Sequence, residues 1–338
     1  MILVTGGTGL VGMHLLASLR ADGKAVRACK RPSSDLAKIK AFFNYSFPNK
    51  PEAFDQIEWV DTDLLDVESL TFAMSGCQEV YHSAAMVSFH PKDHKNMVDF
   101  NVGATANVVN VAMDLGVKSL GYVSSVAAFG RDGKKPVSEK TVWKYDDENS
   151  TYAGSKYNSE LEVWRGVEEG LNAFMVNPGI IIGIGDFERS SAELFQQVHK
   201  GIPFYPTGSN GFVGVQDVIE VLRNITENGA PSRRYLLVAE NWTYQTLFEK
   251  IAQSVGGKVP TKAAPQNLLK LYCWLQRTKE FLTGKRAFVT KESIRNASQT
   301  YSYDASKVKT ELNHSFHDVG DVIHETGAYF KSLISSGR

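Results

Sequence analysis

Short apolar runs rich in β-branched residues, at positions 2–5, 25–29, 57–61, 79–82, 119–124 and 172–176, alternate with longer stretches in which apolar residues recur every three or four positions. The first kind of run predicts buried strands and the second amphipathic helices. Their alternation predicts βαβ units laid into a parallel sheet covered on both faces. The first helix is expected from Leu10, with Val11, Leu15, Leu16 and Leu19 along one face, closing before Asp22-Gly23. Asn101 is expected to cap a helix through Val102, Val108, Val109 and Met113 that stops at Gly116, and Tyr152 to Glu169 to form another ended by Gly170. After about residue 177 the rhythm breaks. Residues 177–212 are rich in Gly and Pro, and 255–305 mix polar turns with an amphipathic helix around Leu268 to Leu275, while Arg234 to Glu240 reads as a late strand and Asp217 as a helix cap. The fold expected is α/β: a doubly wound parallel sheet from residues 1–176 plus 213–240, and a smaller lobe from 177–212 plus 241–338. Ligands of open parallel sheets bind at the carboxyl ends of the strands, which such a lobe roofs.

Thr5-Gly6-Gly7-Thr8-Gly9-Leu10-Val11-Gly12 follows the first strand directly, with Gly6, Gly9 and Gly12 three residues apart. One glycine allows the tight turn, one lets backbone approach a pyrophosphate, and one lets helix and strand pack closely. Phosphates then sit on unpaired N–H groups at the positive end of the helix, so Gly6, Thr8, Gly9, Leu10, Val11 and Gly12 are expected around a dinucleotide in a Rossmann-type arrangement. The second strand ends in Lys30-Arg31-Pro32-Ser33-Ser34, with no acid until Asp35. An acid there would bind a ribose 2′-hydroxyl, whereas a base suits a 2′-phosphate. NADP(H) is therefore favoured over NAD(H), with Arg31 as a planar fork on the phosphate and Lys38 as a second positive charge. Asp63, after the third strand, fits either the adenine amino group or a helix cap before Val67.

Composition narrows the partners. The chain of 338 residues carries 37 Lys+Arg against 37 Asp+Glu, so no net charge pulls it to nucleic acid or an anionic membrane. Cys29, Cys77 and Cys273 fit neither a disulfide framework nor a metal or redox pair, and suit the reducing cytoplasm. Met1 runs straight into Ile2-Leu3-Val4 without an export signal, and no stretch approaches the roughly 20 apolar residues of a membrane span.

Tyr152-Ala153-Gly154-Ser155-Lys156 places a phenol and an ammonium at i and i+4 on one helical face. A free phenol, with a pKa of about 10, shuttles protons poorly at neutral pH, but a neighbouring cation stabilises the phenolate. Ser124-Ser125, at the carboxyl end of the strand Leu120 to Val123, offers a hydroxyl to hold a carbonyl oxygen. With these pieces in place the chain resembles an extended short-chain dehydrogenase/reductase, of the dihydroflavonol-reductase and 3β-hydroxysteroid-dehydrogenase-like branch of the NAD(P)-dependent epimerase/dehydratase superfamily. The likeness rests on the glycine turn, Asp63-Leu64, His82-Ser83-Ala84-Ala85, Asn101-Val102-Gly103, Val123 through Gly130, Tyr152 with Lys156, and Asn177 through Gly183, in the family's order over residues 1 to 240.

The resemblance implies Tyr152 as general acid/base, Lys156 as its tuner and ribose ligand, and Ser125, five positions before Gly130, as the polarising donor. It implies that Leu64, Ala84 and Ala85 line the cofactor and that Pro178 and Ile181 flank the nicotinamide. It also suggests a homodimer through the helices after Asn101 and from Tyr152. His82 is expected in the core. Two departures narrow the chemistry. Val126-Ala127-Ala128 stands where dehydratases carry an Asp-Glu pair, and Ser209 to Phe212 lacks the arginine with which epimerases grip a diphosphate. Met86, Phe89, Phe129, Phe187, Phe204 and the helix around Trp274 would form an apolar wall for a hydrophobic ketone or aldehyde, or equally pack the two lobes together. His90, Asp93 and His94 beside Pro91, and likewise His314 and His317, read as solvated loop rather than metal ligands. The expected function is reversible, NADP(H)-dependent reduction of a small-molecule carbonyl. The rivals are a sugar or nucleotide-sugar epimerase with retained NAD and a non-catalytic dinucleotide-binding sensor or assembly factor.

Overall fold

A computed structural model describes residues 1–131, 135–145, 149–265 and 290–335. Strands β1 (Ile2–Thr5), β2 (Val26–Lys30), β3 (Glu58–Asp61), β4 (Glu79–His82), β5 (Ser119–Val123) and β6 (Ala173–Pro178) are threaded by α1 (Leu10–Ala21), α2 (Ala37–Ser46), α3 (Val67–Met74), α4 (His94–Asp114) and α5 (Thr151–Glu168). Short strands β7 (Ile180–Ile182), β8 (Phe204–Tyr205) and β9 (Ser209–Gly214) follow with α6 (Glu193–Lys200), then α7 (Val215–Asn228), β10 (Arg234–Leu237), β11 (Glu240–Thr243), α8 (Tyr244–Val255) and β12 (Lys262–Ala263).

The central sheet runs β10-β6-β5-β4-β1-β2-β3, every neighbouring pair parallel. Strand order reverses between β1 and β4, which opens a crevice at their carboxyl ends. Alternate residues of β1 explain the two layers. Ile2 and Val4 join the core with Leu15, Leu16, Leu222 and Ile225 of α1 and α7, while Leu3 joins Val108, Val109 and Val163 of α4 and α5. The later segments add the three-stranded sheet β11-β9-β7 and the β12-β8 pair. Among the described residues no helix is long and apolar enough to cross a membrane.

Three expectations about local structure give way to tertiary contacts. Asn101 caps nothing. Helix α4 begins at His94, and Asn101 lies inside it, buried, with Oδ1 accepting from Met86 N (2.7 Å) and Nδ2 donating to Met86 O (2.9 Å). A buried amide with complete bonding outweighs its modest helix propensity. Asp217 likewise sits within the first turn of α7, whose cap is Gly214. Its fully buried carboxylate accepts from His317 N and Nδ1 (3.1 and 2.9 Å) and His314 Nε2 (3.1 Å), so both histidines are tied to Asp217, His314 half-buried and His317 exposed. The Asp217 carboxylate raises His317 above its ordinary value, burial opposing, so this contact stabilises the fold below about pH 6.5 and is lost as pH rises through the raised pKa. A loss of stability as pH rises above about 6.5 that His317→Asn abolishes, followed by urea unfolding, is the expected result. Nor is the 90–94 segment a free loop. Asp93 is buried and accepts from Ser88 Oγ (2.8 Å), and His94 opens α4. The helix expected around Leu268 to Leu275, with Trp274 and Cys273, lies outside the described residues.

Candidate active site

The turn after β1 requires its glycines for steric reasons. Gly6 has φ +69°, and a Cβ there would lie 2.6 Å from the Ala84 amide. A Cβ on Gly12 would lie 2.1 Å from the Gly6 carbonyl oxygen, so α1 starts directly against the strand end. Gly9 donates from its amide to Gly6 O (2.9 Å) and caps α1 with no side chain. The first turn of α1 therefore lacks side-chain acceptors for its N–H groups, a donor set suited to a pyrophosphate. Thr8, Leu10 and Val11 are half-buried around this turn, while Ala84 packs under Gly6 and Ala85 is exposed.

At the end of β2 the exposed Arg31 has no ion pair among the described residues. Lys38 does not stand free beside it, because Asp186 (2.7 Å) and Glu188 (2.5 Å) hold its ammonium. The cap of α3 is Asp66, which accepts from Glu68 N, so the helix-cap reading of Asp63 falls. Asp63 Oδ1 instead accepts from Leu65 N (2.9 Å) beside the buried Leu64.

Ser125 lies just beyond β5, and its Oγ accepts from Ala127 N (3.1 Å), which turns the chain into a short helical loop. The hydroxyls of Ser124 and Ser125 part ways. Ser124 points inward to Glu160 Oε1 (2.5 Å), and Ser125 lies near enough to the Tyr152 phenol to pull its pKa down. Tyr152 occupies the first turn of α5, capped by Ser150 Oγ on Ala153 N (3.0 Å), and meets the Phe89 ring edge-on at 6.0 Å. One turn further, the buried Lys156 donates from Nζ to Val123 O (2.9 Å) and Tyr122 Oη (3.3 Å).

Electrostatics differ from expectation. Burial pushes the Tyr152 phenol above its ordinary value, with the Ser125 hydrogen bond pulling the other way. The ammonium of Lys156 turns toward the sheet rather than toward the phenol, and its own pKa falls to about 8 through burial, opposed by Glu160. A shared helical face brings the two residues together, but the side-chain direction follows the available acceptors.

The expected substrate wall divides. Met86 and Phe89 are half-buried beside Asn101 and Tyr152, and Phe204 is half-buried in β8. Phe129 is buried with the Arg234 guanidinium 4.4 Å over its ring, and Phe187 is buried against Phe195, Tyr329 and Phe330. Neither presents a face to a ligand, because each ring completes a core. Pro178 is buried at the end of β6 and Ile181 is half-buried in β7. His82 lies in the core between Thr5 Oγ1 (2.7 Å) and Thr105 Oγ1 (3.1 Å). The roles of Tyr122, Asn177 and Glu160 escaped the sequence reading. Asn177 entered it only as the start of a family motif, and Glu160 left a trace four residues beyond Lys156 on the same helix.

A sequence profile for the NAD dependent epimerase/dehydratase family matches residues 2–237. The chain is 28% identical over 314 residues to sterol demethylase protein B of Methylococcus capsulatus, covering 92% of each chain. It is 28% identical over 316 residues to a putative dihydroflavonol 4-reductase of Synechocystis, covering 91% of this chain and 88% of that one. Its fold is similar to that of UDP-glucose 4-epimerase from Thermotoga maritima, solved with UDP-glucose, at a TM-score of 0.76 and 19% identity over 98% of this chain and 99% of the other.

Proposed function

The chain belongs to the NAD dependent epimerase/dehydratase family, and from that premise we propose that it is an NADP(H)-linked oxidoreductase interconverting a hydrophobic ketone or aldehyde and its alcohol. The observation that carries this reading is the meeting of Ser125 and Tyr152, with Lys156 one helical turn on, at the carboxyl end of β5. When bound, the dinucleotide supplies or takes up the hydride. Tyr152 donates a proton to the substrate oxygen in reduction and recovers it in oxidation, while the Ser125 hydroxyl holds that oxygen as charge develops on it. Lys156 keeps a positive charge beneath the site. Relatives named for a sterol demethylase and a dihydroflavonol reductase support a polycyclic, largely apolar substrate, and Met86 and Phe89 are its nearest wall. In this reading segments 177–212 and 241–338 form the substrate lobe.

The test is stoichiometric loss of NADPH absorbance on adding sterol ketones, flavonoid ketones or aromatic aldehydes. An epimerase would instead retain NAD through purification and show no net absorbance change with a nucleotide sugar. The missing arginine at 209–212 and the absent Asp-Glu pair at 126–128 weigh against nucleotide-sugar chemistry. Tight cofactor binding without any turned-over carbonyl, alcohol or sugar would return the chain to the sensor reading.

The cofactor preference rests on Arg31. Arg31→Ala is expected to weaken NADPH binding by about tenfold, the loss of a charge-assisted contact of roughly 1.5 kcal/mol, and to leave NADH within about twofold. Isothermal titration with both cofactors measures this, and equal weakening of the two removes Arg31 from the role. We extend the reading to a homodimer through α4 and α5, for which light scattering is the check. Buried free thiols at Cys29 and Cys77 suit a reducing cytoplasm.

A further inference from the structure

Glu160 lies one helical turn beyond Lys156 on α5 and is 1% exposed. Three donors from three strands or strand ends converge on its carboxylate. Ser124 Oγ donates to Oε1 at 2.5 Å from the end of β5, and Asn177 Nδ2 on β6 donates to the same oxygen. Arg234 Nη1 on β10 donates to Oε2 at 3.0 Å. Asn177 Nδ2 also donates to the Ser125 carbonyl (2.9 Å), so one anion fixes the backbone on both sides of the Ser125 hydroxyl. Arg234 is itself anchored, donating from Nη2 to Glu139 O (3.0 Å) and lying over the Phe129 ring.

The surroundings of Lys156 give this anion a second consequence. Its ammonium meets Val123 O and Tyr122 Oη on β5, and lies close enough to His82 on β4 to hold that imidazole neutral together with burial. The phenols of Tyr122 and Tyr152 are both raised, chiefly by burial, and so stay neutral. Glu160 is therefore the anion that opposes the burial of Lys156.

We propose that Glu160 is the positioning residue of the reaction centre: its buried carboxylate sets the Ser124–Ser125 backbone through Ser124 and Asn177 and keeps the Lys156 ammonium charged. The inference rests on the oxidoreductase reading for its consequence in turnover. Its electrostatic half can be measured without a substrate.

Lys156 titrates near 8 in the folded chain and near 10.4 unfolded. The unfolded chain thus binds the extra proton between those values, so the penalty for burying this lysine is complete below pH 8 and is relieved as pH rises. Urea unfolding of wild type against Lys156→Met across pH 6 to 10 isolates the effect: their stability difference should begin to favour Lys156 near pH 8. In a Glu160→Gln background the onset should move to lower pH by about one unit, the shift expected on losing an adjacent opposite charge. An unmoved onset overturns the proposal. If Glu160→Gln does not fold, Arg234→Gln replaces it. That change frees the carboxylate to act on Lys156, so the onset must move to higher pH, and an unmoved onset again overturns the proposal. With an active carbonyl substrate, Glu160→Gln should carry the alkaline limb of kcat/KM to lower pH by the same amount. Ser124→Ala, which removes a hydrogen bond but no charge, should lower the rate at every pH and leave the limb in place. Equal movement of the limb in both variants would reduce Glu160 to a structural part.

Discussion

Tyr152→Phe is expected to lower kcat for carbonyl reduction by about 10²- to 10⁴-fold, the range contributed by a positioned general acid. The ring edge that meets Phe89 is retained, and the cap of α5 by Ser150 does not involve the phenol. The variant should therefore fold normally, and the dissociation constant of NADPH should stay within about twofold, a difference well under 1.4 kcal/mol. Steady-state turnover and fluorescence titration of the cofactor measure the two quantities. Near wild-type turnover would remove Tyr152 from the chemistry and with it the proposed function. Because burial raises the phenol and Lys156 does not face it in the protein alone, Tyr152 is poised chiefly as a proton donor at neutral pH. Reduction should accordingly hold its rate toward acid pH, whereas oxidation, which needs the phenolate, should gain rate as pH rises.

Gly12→Ala has the second largest expected effect. Its Cβ would stand 2.1 Å from the Gly6 carbonyl oxygen and 2.7 Å from the Gly6 carbonyl carbon. Both are backbone atoms of the turn, which no side-chain rotation can move aside. Helix α1 must retreat from β1, at a cost of about 1 to 3 kcal/mol for an overpacked contact. The same retreat spoils the N–H groups that face the phosphates, so NADPH affinity should fall by at least about tenfold for each 1.4 kcal/mol misplaced. Thermal unfolding and cofactor titration should change together. A variant with unchanged affinity would show that the dinucleotide does not lie on this turn.

The glycine turn was legible in the linear chain because its constraint is local: strand, turn and helix are contiguous, and the spacing of Gly6, Gly9 and Gly12 states how closely they approach. Tyr152 and Lys156 were legible for the same reason, since four residues on a helix always share a face. The direction of the Lys156 ammonium was not. It depends on Val123 O and Tyr122 Oη, which a different strand brings beneath it. Asn101 shows how a local rule fails. Its residue type favours a cap, but Pro91–Asp93 starts the helix earlier and Met86 satisfies the amide from outside. Phe129 and Phe187 fail by another route. An aromatic ring has the same preference for a core as for a ligand wall, and only the packing of Arg234, Tyr329 and Phe330 over those rings chose the core.

The sequence by itself determined the layered α/β architecture, the tight glycine turn after β1 and the shared helical face of Tyr152 and Lys156, because each is written in short-range periodicity or spacing, whereas Ser125 was singled out by family resemblance. Only the tertiary structure decided which side chains are already spent, as Lys38 is on Asp186 and Glu188, and which donors gather on the buried Glu160 carboxylate. The Glu160 carboxylate draws its partners from positions 124, 177 and 234, and no local pattern announces such a meeting. Desolvation and charge pairing act through space, and their balance exists only once the chain has closed around them.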